Sequence, residues 1–331
     1  MTPDLLHHGG RLAEAARVFG GEPADWLDLS TGLNPLPWQS AEAGRIDWHA
    51  LPDPDALREL EHAAAGHFGA VPEHVCAVPG SEVALRLLAL LLALPGRALT
   101  PAYRTHAEAF ASSTPIGFGE TLDHPAAIVL ANPNNPDGIL RPASAILSWR
   151  DAVAGAGGWL IVDEAFADCH PQASVAAHVG PAERLIVLRS FGKFFGLAGL
   201  RLGFVIAPPA VTAALRGLLG SWPVHAAALD LGRAAYADAG WIARTRADLP
   251  LRAEAMDRVL TRHGLAPQGA CPLFRYLADC DAAGLFARLA HARILTRPFA
   301  ERPRTLRLGI PADPAALARL DIALDKALAD G

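Results

Sequence analysis

The chain has 331 residues, 51% of them apolar and 19% charged, a balance that suits a packed globular protein and excludes a disordered one. Its net charge of −5 and its scattered basic residues leave no electrostatic footprint for nucleic acid. The greasiest stretch, 84–94, carries Arg86 and falls short of the ~20 residues a bilayer span needs. The N-terminus lacks the basic and apolar regions of a signal peptide, so a cytoplasmic protein without a membrane partner is expected. Cys76, Cys169, Cys271 and Cys280 form no C-x-x-C pair and fit no zinc spacing, so reduced thiols and no metal are expected.

In chain order, the first 44 residues are rich in Gly and Pro and are assigned to a smaller domain. From residue 55 to about 205, helix and strand alternate. A helix at 55–68 precedes a strand at 75–78, then Gly80-Ser81-Glu82 opens an apolar helix. Strands follow at 97–100, 127–130, 159–162, 185–188 and 202–206. These runs are continuous and apolar, as in strands covered on both faces. Their alternation with helices predicts a mainly parallel sheet in an α/β domain spanning 45–207. After Pro209 the chain reads as helical to about 264, with strand-like pieces at 273–277, 294–297 and 305–310 and a last helix at 314–329. Residues 208–331, with 1–44, are expected to form a smaller α+β domain.

The polar residues that carry chemistry sit just past the strand ends, where open α/β sheets bind ligands. Of the 29 basic residues only Lys193 and Lys326 are lysine. Lys193 lies in the apolar, glycine-rich run Ser190-Phe191-Gly192-Lys193, where a charge is costly. An amine can lose its proton and attack a carbonyl and a guanidinium cannot, so Lys193 is a candidate Schiff-base lysine; the plain alternative is a lysine that snorkels to water. Gly80, Ser81 and Glu82 at a helix start could hold a phosphate or simply cap the helix. Asn135, in Asn132-Pro133-Asn134-Asn135-Pro136-Asp137-Gly138, could donate to a ligand oxygen or belong to a turn. Asp163 ends an apolar strand and needs a positive partner, either a protonated pyridine nitrogen or an arginine of this arginine-rich chain. Ser190 and Arg201 could share the phosphate. Together these groups match phosphate, ring nitrogen, ring oxygen and aldehyde, the functional groups of pyridoxal phosphate (PLP).

The ordered motifs Gly-Ser-Glu, Pro-Ala-Tyr, Asn-Pro-Asn-Asn-Pro-Asp-Gly, Asp-Glu-Ala-Phe and Ser-Phe-Gly-Lys resemble those of the fold-type I PLP enzymes. More narrowly, the chain is similar to the class II aminotransferase branch that contains histidinol-phosphate aminotransferase and threonine-phosphate decarboxylase. The resemblance covers nearly the whole chain and implies a three-layer PLP-dependent transferase-like large domain, and a homodimer. It makes Lys193 the lysine that holds the cofactor aldehyde, Asp163 the partner of the ring nitrogen and Asn135 that of the ring hydroxyl. Ser190, Arg201 and the amides of Gly80, Ser81 and Glu82 would hold the cofactor phosphate. His106 falls where the family places an aromatic stacked on the ring. Arg307 falls at the arginine for a substrate carboxylate, and Arg297 near one for a substrate phosphate. His8, Gly9 and Asn34 match the substrate-closing segment of the decarboxylase branch.

Three departures matter. Phe166 replaces a tyrosine that bonds the ring oxygen, Gly192 replaces the usual hydroxyl residue before the lysine, and Leu51 replaces a tyrosine that reaches the other subunit's cofactor. The first, with His106 and His8, leans towards decarboxylation of L-threonine O-3-phosphate in cobalamin biosynthesis. The alternatives are a histidinol-phosphate-type aminotransferase and a catalytically silent PLP-fold binding subunit.

Overall fold

The apolar runs fold as strands. The computed structural model describes residue 5, residues 9–39 and residues 46–329. Its strands in chain order are β1 (Leu27–Asp28), β2 (Val75–Val78), β3 (Gly96–Leu99), β4 (Ser113–Ile116), β5 (Ala127–Ala131), β6 (Trp159–Asp163), β7 (Leu185–Ser190), β8 (Gly203–Ile206), β9 (Pro267–Gln268), β10 (Phe274–Leu277), β11 (Ile294–Leu295), β12 (Arg297–Phe299) and β13 (Arg302–Gly309). The chain divides into two compact units, the larger made of 37–135 and 139–244, the smaller of 1–36, 136–138 and 245–331.

The larger unit is built on a seven-stranded sheet of order β2-β8-β7-β6-β5-β3-β4. β8 runs antiparallel to both neighbours, and the remaining pairs are parallel. One face of the sheet, with Val129, Ile161, Leu188 and Val205, packs on Leu85 and Leu88 of the helix Ser81–Leu92 and on Leu215 of the helix Pro209–Leu219. On the other face Phe204 meets Phe68 of the helix Pro54–Phe68 at 5.5 Å and Tyr236 of the helix Ala226–Ala237 at 5.7 Å. Helices therefore cover both faces, which gives the three layers expected. Successive side chains of a strand point to opposite faces. Asp163 accordingly shares the face of Ile161, and Ser190 that of Leu188.

The smaller unit holds a four-stranded antiparallel sheet of order β12-β13-β10-β9 and a short parallel pair, β1 with β11. Its core gathers Leu29, Met256, Phe286, Leu289, Leu306, Leu308 and Leu324. This is the α+β arrangement expected for it.

Structure and sequence reading differ at three places. The boundary anticipated between 207 and 208 moves to 244–245, because Leu215 and Tyr236 bury themselves against the large sheet. β4 is not legible as a strand in the sequence: it is a partly exposed edge strand containing Pro115, and edge strands need no continuous apolar run and tolerate proline. The strand-like piece at 294–297 also resolves into two, β11 pairing with β1 and β12 with β13. Among the described residues no helix is long and apolar enough to cross a membrane.

Candidate active site

The ends of β2, β7 and β8 in the larger unit bring four of the expected residues together. The helix Ser81–Leu92 starts after Gly80, which has φ 98° and offers no side-chain cap. Its first N–H groups thus lack the usual side-chain acceptor. Ser81 Oγ lies 2.7 Å from Ser190 Oγ. Arg201 sits in the left-handed region, φ 51° and ψ 45°, a conformation that costs a non-glycine residue on the order of 1–3 kcal/mol and clusters at functional sites. A Cβ on Gly80 would come within 2.8 Å of Arg201 Nη2. Two hydroxyls, uncapped amides and a guanidinium suit a phosphate. Glu82 turns its carboxylate elsewhere, accepting from Tyr103 Oη at 3.1 Å and Arg86 Nη2 at 3.3 Å.

Asp163 closes β6 with one carboxylate oxygen accepting from the backbone N–H of Ala165 at 3.1 Å and the other 3.0 Å from His106 Nε2. An ionised carboxylate only accepts, so Nε2 carries the proton of that bond. His106, expected to offer its face to the cofactor ring, is buried and bonded to Asp163 through its edge, an arrangement compatible with that role, and its Nδ1 has no hydrogen-bond partner among the described residues. The half-buried Tyr103 stands T-shaped to it at 5.7 Å. Burial is the main cause that raises the Tyr103 phenol above its ordinary range.

Lys193 lies in the short helix Phe191–Phe194 directly after β7, with Nζ 5.9 Å from the centre of the Phe166 ring. Phe166 is buried and presents hydrocarbon where a tyrosine would present a hydroxyl. In the loop after β5, Asn132 donates to the carbonyls of Arg141 and Ala173, and Asn134 to that of Pro101. Those two asparagines thus hold the loop, which supports the turn reading for them.

The arginine on the strand next to Asp163 does not pair with it. Arg189 belongs to its neighbour Glu164 and to Asp168, at 2.8 and 2.5 Å. Burial pushes the Glu164 carboxyl up, opposed by Arg189, Ser174 and the Val175 amide. Burial works in the same direction on Asp168, but Arg189 and His67 hold it well below the usual carboxylate range. Sequence reasoning missed this network and the bond from His106 to Asp163. A doublet Asp163-Glu164 opposite Arg189-Ser190 on adjacent strands was the available signal.

In the smaller unit, Arg297 and Arg307 are register partners on β12 and β13. Both are buried, so neither is the surface arginine that the composition allows. Their guanidiniums lie 5.0 Å from the ring centre of Phe299 and 4.9 Å from that of Phe274. Arg307 Nη2 also donates to Ser30 O at 3.4 Å. A side chain at Gly9 would run into that same Ser30 carbonyl, and Gly10 N–H donates to Ser30 Oγ at 2.7 Å. Asn34 is buried, with Oδ1 accepting from Leu36 N–H at 3.0 Å. His8 lies outside the described residues.

Residues 118–320 match the family model for aminotransferase class I and II. A threonine-phosphate decarboxylase of Pseudomonas aeruginosa is 42% identical over 329 residues, 97% of each chain. A second, from Sinorhizobium sp., is 39% identical over 96% of this chain and 97% of its own. Histidinol-phosphate aminotransferase 1 of Cupriavidus pinatubonensis is 30% identical over 96% and 93% of the two chains. Among solved structures, the histidinol-phosphate aminotransferase of Sinorhizobium meliloti in complex with pyridoxal-5'-phosphate shares the fold, with a TM-score of 0.81 at 21% identity over 96% of this chain and 94% of that one. The chain belongs to the aminotransferase class I and II family.

Proposed function

We propose that this chain is a PLP-dependent carbon–carbon lyase that converts L-threonine O-3-phosphate to (R)-1-amino-2-propanol O-2-phosphate, a step of cobalamin biosynthesis. The observation that carries the reading is its nearly full-length likeness to two threonine-phosphate decarboxylases, well above its likeness to the histidinol-phosphate aminotransferase.

Bound PLP supplies an electron sink for the bond that breaks at the substrate's Cα. The protein's part is to hold and orient. Ser81, Ser190, Arg201 and the amides at 80–82 would hold the cofactor phosphate, Lys193 Nζ its aldehyde carbon and Asn135 its ring hydroxyl. Asp163, anchored by His106 and Ala165, would keep a proton on the ring nitrogen, because a fixed negative charge favours the protonated form of a neighbouring base. Arg297 and Arg307 would hold the substrate's two anionic groups, since guanidinium forks bind phosphate and carboxylate bidentately. Where those groups are anchored decides which Cα bond stands across the ring. With the carboxylate there, its carbon leaves as CO₂ and Cα takes up one proton. His8, Gly9 and Asn34 would close over the substrate.

The purified holoenzyme is given threonine phosphate with no amino acceptor. Release of CO₂ matched to the amine product is expected. Turnover that requires 2-oxoglutarate would make the chain an aminotransferase. Absence of borohydride-trapped cofactor on Lys193 would make it a silent PLP-fold subunit. The resemblance further implies a cytoplasmic homodimer, which light scattering of the purified protein tests for assembly.

A further inference from the structure

Behind Asp163 and Ser190 lies a charge cluster that the proposed chemistry does not use. Side chains alternate along a strand, so Glu164 and Arg189, each one residue from a proposed cofactor contact, face the far side of the sheet. There Arg189 Nη1 donates to Glu164 Oε2 at 2.8 Å and Nη2 to Asp168 Oδ1 at 2.5 Å. Ser174 Oγ donates to Glu164 Oε2 and the Val175 N–H to Glu164 Oε1, both at 2.6 Å. His67 Nε2 is 2.8 Å from Asp168 Oδ1, and the Arg189 guanidinium lies over Phe68 at 4.5 Å. Glu164, Asp168 and Arg189 are 0, 2 and 3% exposed.

Stability alone does not account for such a cluster. Desolvating buried ions is costly, and apolar residues of similar volume often serve a core as well or better. Geometry does account for it. A planar guanidinium reaches two carboxylates at once in fixed directions, which a flexible alkyl chain cannot do. One of those carboxylates follows Asp163 directly, and the guanidinium immediately precedes Ser190 and stands four residues before Lys193.

We propose that Arg189, Glu164 and Asp168 form a positioning clamp that ties the end of β6 to the end of β7 from behind and so sets Asp163 relative to Ser190 and Lys193. The clamp rests on the reading of those three as cofactor contacts. Ser174 is its outer strut. None of the clamp residues is proposed to touch the cofactor, so their effect should be on the chemical step and on the cofactor's spectrum rather than on substrate capture.

The test compares Arg189→Lys, Glu164→Gln and Ser174→Ala holoenzymes with the wild type. Three quantities are read: the melting temperature of the cofactor-free protein, the pH midpoint of the bound cofactor's visible absorption, and the division of any loss between kcat and KM. A displacement of ~1 Å can lower a rate by ~10²-fold. Arg189→Lys, which cannot span both carboxylates, should therefore lose at least about tenfold in kcat. Glu164→Gln should lose less, and Ser174→Ala only severalfold. KM should stay near the wild-type value, and the absorption midpoint should move in the same order as kcat. Should Arg189→Lys fail to fold, Glu164→Gln and Ser174→Ala decide. Unchanged midpoint and kcat in those two, or losses that only follow the cofactor-free melting temperature, would overturn the clamp. Hydride trapping of cofactor on wild-type Lys193 tests the site reading separately, so failure of either is recognisable.

Discussion

Replacing Gly192 with alanine tests how tightly the lysine is held. Gly192 lies inside the helix Phe191–Phe194 without a positive φ, so backbone freedom is not what requires glycine here. On conformational entropy alone the change should stabilise the fold by ~0.4–1 kcal/mol. The new Cβ, however, would stand 2.6 Å from Ala198 Cα, 3.1 Å from Ala198 N and 3.3 Å from Leu197 O. Non-bonded carbons prefer ~3.5–4.0 Å, and these backbone atoms cannot rotate away, so about 1 Å must be yielded. Overpacking of this kind costs ~1–3 kcal/mol; with backbone atoms as the obstacle the middle to upper part of that range applies, ~2–3 kcal/mol, which reverses the sign and leaves a net loss of ~1–2 kcal/mol. That corresponds to a fall of ~2–8 °C in melting temperature for a unit of this size. The displacement has only two directions to take. It moves Lys193, the next residue, or the turn Ala198–Leu200 that leads into Arg201, and a shift of ~1 Å at either can lower kcat by up to ~10²-fold. Thermal unfolding of the cofactor-free protein, PLP titration and steady-state decarboxylation measure these effects. A variant that melts at or above the wild-type temperature, with unchanged PLP affinity and kcat, refutes the reasoning. Gly192→Ser should behave in the same way, which explains why this chain departs from the hydroxyl residue usual at that position.

A Cβ at Gly203 would lie 2.8 Å from Ser81 N and 2.9 Å from Arg189 O. Gly203→Ala should therefore weaken PLP binding by about tenfold or more by displacing the helix start proposed to receive the phosphate, as read by equilibrium titration of the apoprotein. Burial raises the thiols of Cys76 and Cys271 to about 12; at pH 8 only ~10⁻⁴ of each is thiolate, and the thiolate is the reactive form. A disulfide reagent should leave both untouched in the native protein and titrate both after denaturation. Asp168→Asn should cost ~3–5 kcal/mol at pH 7, the penalty for breaking a buried ion pair. Because the native Asp168 carboxyl is held below its ordinary range, its stabilisation is complete above the unfolded value of ~3.9 and fades as pH falls below it. The gap in unfolding free energy between wild type and variant should therefore narrow only in acid. A gap that narrowed instead on raising the pH would contradict the assignment.

What the sequence makes legible follows from burial. The strands β2, β3, β5, β6, β7 and β8 stand out because coverage on both faces demands continuous apolar runs. β4 escapes because its side chains are partly in water. The helices Pro209–Leu219 and Ala226–Ala237 announce themselves as helices, yet their periodicity is the same whichever sheet they cover, and only Leu215 and Tyr236 in place show that they belong to the larger unit. Lys193 is legible for a different reason. In a chain that uses arginine almost everywhere else, a lysine in an apolar run stands out as a candidate for chemistry that arginine cannot perform.

Pairing is the part that composition cannot reveal, and Asp163 shows why. With 29 basic residues available, an arginine partner was a reasonable expectation for a carboxylate at a strand end. The pleat decides otherwise. Arg189 follows Leu188 on β7, and Leu188 is in register with Asp163 on β6, so the guanidinium and the carboxylate point to opposite faces. Glu164, one residue further, shares the guanidinium's face and takes it. A one-residue slip between β6 and β7 would hand Arg189 to Asp163 and leave Glu164 buried beside nothing positive, a state penalised by desolvation. The same parity that turns Arg189 away leaves Asp163 with a histidine edge and a backbone amide. They orient the carboxylate at the strand end, where it is proposed to face the cofactor's ring nitrogen.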